Sequence, residues 1–392
     1  MAYPAMNNPT TRELLADLVH FDTVSSHSNL AMIDYIQRYL ARYAVESQLI
    51  HDDSGSKANL LAVIGPQHIP GIVLSGHTDV VPVAGQQWSS DPFTLTERDG
   101  RLYGRGSADM KSWLAAVLAL VPRLTATPLR LPVWLAFSYD EEVGCKGVHG
   151  LLHQLDGLPV LPAACIVGEP TEMRPVTGHK GKIAMRCTVT GHASHSAYTP
   201  QGVNAIEYAV QVMQQLMALA QQLQQQQNLA FYPPFSTLQT GLIQGGKALN
   251  IVPDHCQFDF EIRTLPGTDA QQRVDEVIAW SHRQLLPQMQ AIAPHCAIHF
   301  TRLSHYPALQ TRSAAMIDSL LALLPPPQNL QTVAYGTEGG LFQQHGVPTL
   351  VCGPGAMAQG HKADEFVSLE QLEQCDAFLL RLWQWLQAGS FT

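Results

Sequence analysis

The sequence predicts an α/β protein: a domain on a mostly parallel sheet, interrupted by a smaller α+β domain of strand, helix, strand, strand, helix, strand order. Three observations lead there. In the first part of the chain, short apolar runs bounded by turn residues alternate with helical stretches, the pattern of a parallel sheet covered by helices. From residue 182 the runs become period-two strands around two amphipathic helices. Near Thr311 the first pattern returns. The expected bounds are 1–181 and 306–392 for the main domain and 182–305 for the inserted one. A length of 392 residues also suits two or three domains.

Taken in order, Leu14, Leu15, Leu18 and then Met32, Ile33, Ile36 and Leu40 recur at helical spacing, so residues 11–49 read as helix. Leu60–Ile64, Gly71–Ser75, Pro132–Ser138 and Ala163–Val167 read as buried strands, with a helix over Met110–Arg123 between them. Lys182–Thr190 alternates like a half-exposed strand. A helix runs from Val203 into the glutamine-rich stretch Gln221–Gln227, read as a solvated helix end. Strands Ser236–Gln244 and Gln257–Thr264, helix Asp269–Leu286 and strand Ala297–Ser304 complete the insert. Val347–Cys352 is a further strand, and Leu369–Leu386 a closing helix.

Composition narrows the function. A net charge of −9 argues against a nucleic-acid or acidic-membrane partner, which needs clustered positive charge. The longest apolar run, Leu114–Val121, stops at Pro122, far short of a membrane span. Seven cysteines without a CxxC pair fit reduced thiols. The first residues hold no basic segment followed by an apolar one. A soluble cytoplasmic protein is expected.

Chemistry is concentrated where strands end. His77 and Asp79 follow the strand at Leu74, on the same side of an extended segment, so one can bind a metal while the other orients it. Asp109 follows a glycine turn and opens a helix. Asp140, Glu141 and Glu142 end an apolar strand, where three acids repel one another unless cations are near. Glu169 directly follows another buried strand, and His361 a glycine-rich loop. Each has a plainer reading. His77 and Asp79 fit a capped turn, Asp109 an N-cap, the acid run a solvated loop, and His361 a structural role. Together, His77, Asp109, Glu142, Glu169 and His361 offer two imidazoles and three carboxylates, donors that suit zinc and related divalent metals. Five ligands exceed what one catalytic zinc uses, and a carboxylate shared by two metals accounts for the count. Glu141, beside a ligand, is then free to act as general base. GxSxG, Walker A and HExxH motifs are absent, and no GxGxxG follows the first strand.

The segments SGHTDVVPV, GRGSADMK, DEEVGCKG, VGEPTEM and QGHKADEFV resemble the dinuclear-metal amidohydrolases, which include acetylornithine deacetylase, succinyl-diaminopimelate desuccinylase, carboxypeptidase G and aminoacylase. The likeness runs in consistent order over residues ~10 to ~390. It implies a metallopeptidase-like catalytic domain, with the insert serving as a lid and dimer contact. It implies that Asp109 bridges two metals, zinc, cobalt or manganese. His77 and Glu169 would complete one site, Glu142 and His361 the other, with Asp79 orienting His77 and Glu141 moving the proton. His195, in Gly191-His-Ala-Ser-His195-Ser, resembles the histidine that reaches across the dimer to the reacting carbonyl. Its plainer role is a polar loop residue. Asn250 and Arg263 resemble lid residues near substrate, although Arg263 also suits a strand-end ion pair.

Tyr335-Gly-Thr-Glu338 and Val-Gly-Glu169-Pro-Thr look most like the acetylornithine deacetylase branch, which implies N2-acetyl-L-ornithine as substrate. Glu338 would partner the cationic side chain, or serve as a structural acid. Gly339-Gly340 departs from that branch and leaves room for acetylcitrulline, N-succinyl-diaminopimelate or another N-acyl amino acid.

Overall fold

The computed structural model describes residues 8–326 and 330–389. The chain divides into two compact units. The first comprises Met1–Thr177, Leu309–Gln331 and Thr337–Thr392, the second Gly178–Ala308 and Thr332–Gly336. The second unit thus starts at Gly178 rather than residue 182, ends at Ala308 rather than 305, and takes back a short later segment. That return lies where the sequence shows no change of pattern, so composition gives no sign of it.

The first unit is built on a sheet in the order Ser47–His51, Ala58–Ile64, Val133–Ser138, Ile72–His77, Ala164–Pro170, Thr349–Gly353. Its four-strand centre is parallel: Ile72–His77 pairs in parallel with Val133–Ser138 and Ala164–Pro170, and Thr349–Gly353 with Ala164–Pro170. Ala58–Ile64 and Ser47–His51 add antiparallel strands at one edge. The centre is apolar on both faces because both are covered. Ile72 and Leu74 join the core cluster around helix Lys111–Ala126, while Val73, between them, is equally buried on the other side. Helices Thr11–Val19 and Leu369–Ala388 pack on Lys111–Ala126.

One expectation needs correction. Residues 11–49 do not form continuous helix. Thr11–Val19 and Leu30–Ala41 are separate helices, and Ser47–His51 is an edge strand. The break, residues 20–29, is rich in Asp, Thr, Ser and Asn, whose short polar side chains bond local backbone in competition with a helix. It also carries Ser25 to Asp79, as described below.

The second unit is a four-stranded antiparallel sheet, in the order Thr237–Gly245, His255–Thr264, Gly181–Thr190, Ala297–Tyr306. Helices Ala205–Leu223 and Ala270–Gln284 share its core. The chain order is the strand and helix sequence read from the residues. Gly181–Thr190 alternates strictly between buried and half-buried positions, as a sheet covered on one face requires. Of the glutamine run, residues from Gln224 onward lie beyond the helix, which ends at Leu223. Among the described residues, no helix is long and apolar enough to cross a membrane.

Candidate metal centre

Four of the proposed residues arrive at carboxyl ends of the parallel strands. His77 is the last residue of its strand, and Glu169 lies near the end of Ala164–Pro170. Glu141 and Glu142 follow Val133–Ser138 through Asp140, which adopts the left-handed conformation at φ 56°. Asp109 stands two residues before helix Lys111–Ala126 and is joined to Met110 by a cis peptide bond. His361 comes from the loop after Thr349–Gly353, with φ 64°.

These side chains converge. His77 Nε2 lies 3.0 Å from Asp109 Oδ1 and 3.8 Å from Glu169 Oε1. On the other side of the same carboxylate, His361 Nε2 lies 3.3 Å from Asp109 Oδ2 and 3.0 Å from Glu142 Oε2. The two oxygens of Asp109 thus face two different imidazoles. Ligand atoms of His77, Glu141 and Glu169 lie within 4.8 Å of one another, as do those of His77, Asp109 and Glu142. Glu141 therefore stands inside the cluster rather than beside it.

The donor set fits divalent cations. His77 Nδ1 is 2.9 Å from the Asp79 carbonyl oxygen. A carbonyl only accepts, so Nδ1 carries a hydrogen, and Nε2, which faces the acids, is the nitrogen that a cation among them would take. Neighbouring ligands of a tetrahedral zinc stand about 3.3 Å apart, close to the spacings seen here. Burial pushes Glu141 up to about 8, helped by the charges of Glu142 and Glu338. Burial pushes Glu142 up to about 7, helped by the charge of Asp109. Burial likewise raises Glu169 well above the usual range. Hydrogen bonds to Asp109 and Glu142 push His361 up to about 10. So many carboxylates packed out of water are strained as anions without positive charge among them.

Asp79 does its orienting differently from expectation. Its backbone, not its carboxylate, meets His77; the carboxylate Oδ1 is 3.7 Å from Nδ1. That carboxylate accepts the backbone N–H groups of Glu141 at 3.0 Å and Glu142 at 3.3 Å, and the Ser25 hydroxyl at 2.6 Å. One residue therefore fixes the histidine and the acid loop together.

Glu338 is corrected as a substrate contact. It is fully buried at the start of helix Gly339–Gln344. It accepts hydroxyl bonds from Ser138 at 2.5 Å and Ser75 at 3.3 Å. Both of its oxygens are engaged beneath the strand ends, which is the structural reading of that acid.

In the second unit, Arg263 also takes the plainer role. Its guanidinium pairs with Glu261 at 3.2 Å and donates to the Tyr306 hydroxyl at 2.8 Å, so the fork is occupied. His195 and Asn250 do come together. His195 bridges to Ile251, and the Ser196 N–H donates to the Asn250 carbonyl at 3.1 Å. His195 is exposed, and its Nδ1 accepts the Ala197 N–H at 3.1 Å. In the neutral ring this leaves the hydrogen on Nε2, as a donor.

Three supporting residues escaped the sequence reading. Glu365 and Arg105 form a buried ion pair at 2.6 Å, and Cys145 Sγ lies 3.3 Å from Glu141 Oε1. All three sit inside the quoted motifs, but nothing in one dimension says what they touch. The seven cysteines are free and buried, which leaves no exposed thiol nucleophile. Glycines set the packing. A Cβ at Gly168, next to Glu169, would stand 2.0 Å from the buried Trp113 ring. Gly168→Ala is expected to cost about 1–3 kcal/mol of stability, read as a lower melting temperature. A variant that melts like the parent would refute this packing.

Comparison with known proteins gives the family. Residues 73–385 match the model of peptidase family M20/M25/M40. The chain belongs to that family. Among its relatives is the acetylornithine deacetylase of Myxococcus xanthus, 36% identical over 379 residues, which cover 95% of this chain and 96% of the relative. The acetylornithine deacetylase of Pasteurella multocida is 33% identical over 368 residues, covering 93% and 92%. Solved structures share the fold, an M20 family member among them. A metallo-carboxypeptidase from Sulfolobus solfataricus superposes with TM-score 0.75 at 15% identity, over 97% of this chain and all of that one. A dipeptidase from Saccharomyces cerevisiae gives 0.71 at 14% identity, over 96% of each. The parallel sheet with a separate antiparallel unit is thus the M20 architecture.

Proposed function

We propose that this M20 member is a metal-dependent deacetylase that converts N2-acetyl-L-ornithine to L-ornithine and acetate. The observation that carries the chemistry is the Asp109 carboxylate, shared between His77 on one oxygen and His361 on the other. The full-length likeness to acetylornithine deacetylases carries the substrate.

His77, Asp109, Glu169, Glu142 and His361 would hold two divalent cations, zinc, cobalt or manganese. Such a pair supplies Lewis acidity to the amide carbonyl and to water. Glu141 takes a proton from the attacking water as the carbon–oxygen bond forms. It returns that proton to the amine nitrogen as the carbon–nitrogen bond breaks. Burial favours the protonated form of Glu141 and so makes it a stronger base than an exposed glutamate. Asp79 holds its backbone during both transfers. His195, with Nε2–H as a donor, is assigned to the developing oxyanion, with Asn250 beside it on the same loop pair. The expected result is acetate release from acetylornithine that stops with chelator and returns with zinc or cobalt. Turnover of another N-acyl amino acid but not of acetylornithine would keep the centre and overturn the substrate.

A homodimer belongs to the same proposal. Strand Thr237–Gly245 is an edge of its sheet, and Leu242 is 66% and Ile243 51% exposed on it. An open edge strand with exposed apolar side chains invites pairing with another chain, and a second copy is the occupant proposed. Sedimentation is expected to give twice the chain mass, and Leu242→Lys with Ile243→Lys to give the monomer. A monomeric parent would remove the dimer from the proposal.

A further inference from the structure

Two loops deliver the ligands Asp109 and His361, and one buried pair spans them. Glu365 Oε1 accepts the backbone N–H groups of both Ala108 and Asp109, each at 2.9 Å. Its Oε2 pairs with Arg105 Nη1 at 2.6 Å. Arg105 Nη2 donates to Gln86 Oε1 at 2.5 Å, and Gln86 Nε2 donates to the His361 carbonyl at 3.0 Å. Arg105 and Glu365 are 0% and 1% exposed. The loop being held is unusual, since His361 and Asp364, neither of them glycine, have φ 64° and 55°. Such conformations persist only where surrounding contacts over-determine them. The network bonds the backbone at Asp109 and at His361, and makes no contact with His77 or Glu169.

Resting on the two-metal reading above, we infer that Glu365, Arg105 and Gln86 are positioning residues for one of the two metals, the one shared by Asp109, Glu142 and His361. They act through the backbone that aims those ligands. A general structural support would affect both metals alike, whereas of the two ligands this clamp holds Asp109 serves both metals and His361 only one, so its loss falls more heavily on that one.

The test is metal binding rather than turnover. The full chain, stripped with chelator, is titrated with zinc by calorimetry, and again with cobalt while its visible absorption is recorded. The parent is expected to take up two equivalents. Glu365→Gln is expected to weaken the second about 10- to 100-fold, the usual effect of losing a group that orients a ligand, and the first less, through Asp109 alone. Because Glu365→Gln leaves the Arg105 charge buried without its partner, Gln86→Ala serves as the gentler variant. Gln86 is only half-buried, and its loss frees the His361 carbonyl and withdraws one acceptor from Arg105 and from Trp88, while the Arg105–Glu365 pair stays. Second-site weakening in Gln86→Ala with the first site unchanged supports the inference even if Glu365→Gln fails to fold. Parent-like affinity at both sites in Gln86→Ala, or equal weakening at both in either variant, overturns it. A parent that binds fewer than two equivalents overturns the two-metal reading and the inference with it.

Discussion

Glu141→Gln is expected to lower kcat for amide hydrolysis by about 10²- to 10⁴-fold, the usual worth of a positioned proton-transfer group, while metal content stays at the parent level. Glutamine keeps the size of the side chain and both backbone bonds, including the Glu141 N–H to Asp79 at 3.0 Å. It removes only the capacity to take and return a proton. Metal analysis alongside kinetics is essential because Glu141 also stands within ligand distance of His77 and Glu169. Lost turnover with full metal assigns the base. Lost turnover with lost metal would make Glu141 a ligand, and unchanged turnover would remove it from the reaction.

Replacing Asp109 by alanine is expected to be as severe by a different route. The carboxylate is 4% exposed and faces both imidazoles, one with each oxygen, at 3.0 Å and 3.3 Å. The hydrogen bonds and charges of His361 and His77 outweigh its burial and hold it below the ordinary carboxylate range. Without it each proposed site keeps two of its protein ligands, fewer than the three a catalytic zinc usually has. Bound metal is expected to fall from two equivalents to one or fewer, with turnover down at least about 10³-fold. Asp109→Asn keeps the shape and halves the anionic donors, so it is expected to retain one metal better than alanine does. An alanine variant that still binds two equivalents would show that Asp109 does not bridge.

Much of this site was legible in one dimension because its ligands sit at strand ends. A buried strand is recognisable by its apolar run, and an acid or histidine directly after it must lie at the sheet's carboxyl edge. His77, Glu142 and Glu169 were found in that way. Glu338 and Arg263 were not separable from structural residues on the same grounds. A residue type and a motif position do not say whether the side chain's partners are serines beneath the sheet, as for Glu338, or a neighbouring glutamate, as for Arg263. The long helix expected over residues 11–49 misread a polar break whose Ser25 has its partner 54 residues away.

By itself, then, the sequence determined the order of strands and helices, the insert and the donor types of the centre. Periodicity and local chemistry are properties of neighbours along the chain. The tertiary structure decided that one acid, Asp109, faces both imidazoles, that Asp79 meets His77 through its carbonyl, and that Glu365 and Arg105 brace the loops of Asp109 and His361. Those outcomes depend on which oxygen of a carboxylate meets which partner across 32, 252 or 260 residues of chain. Only the closed sheet and its covering helices bring such residues within hydrogen-bond reach.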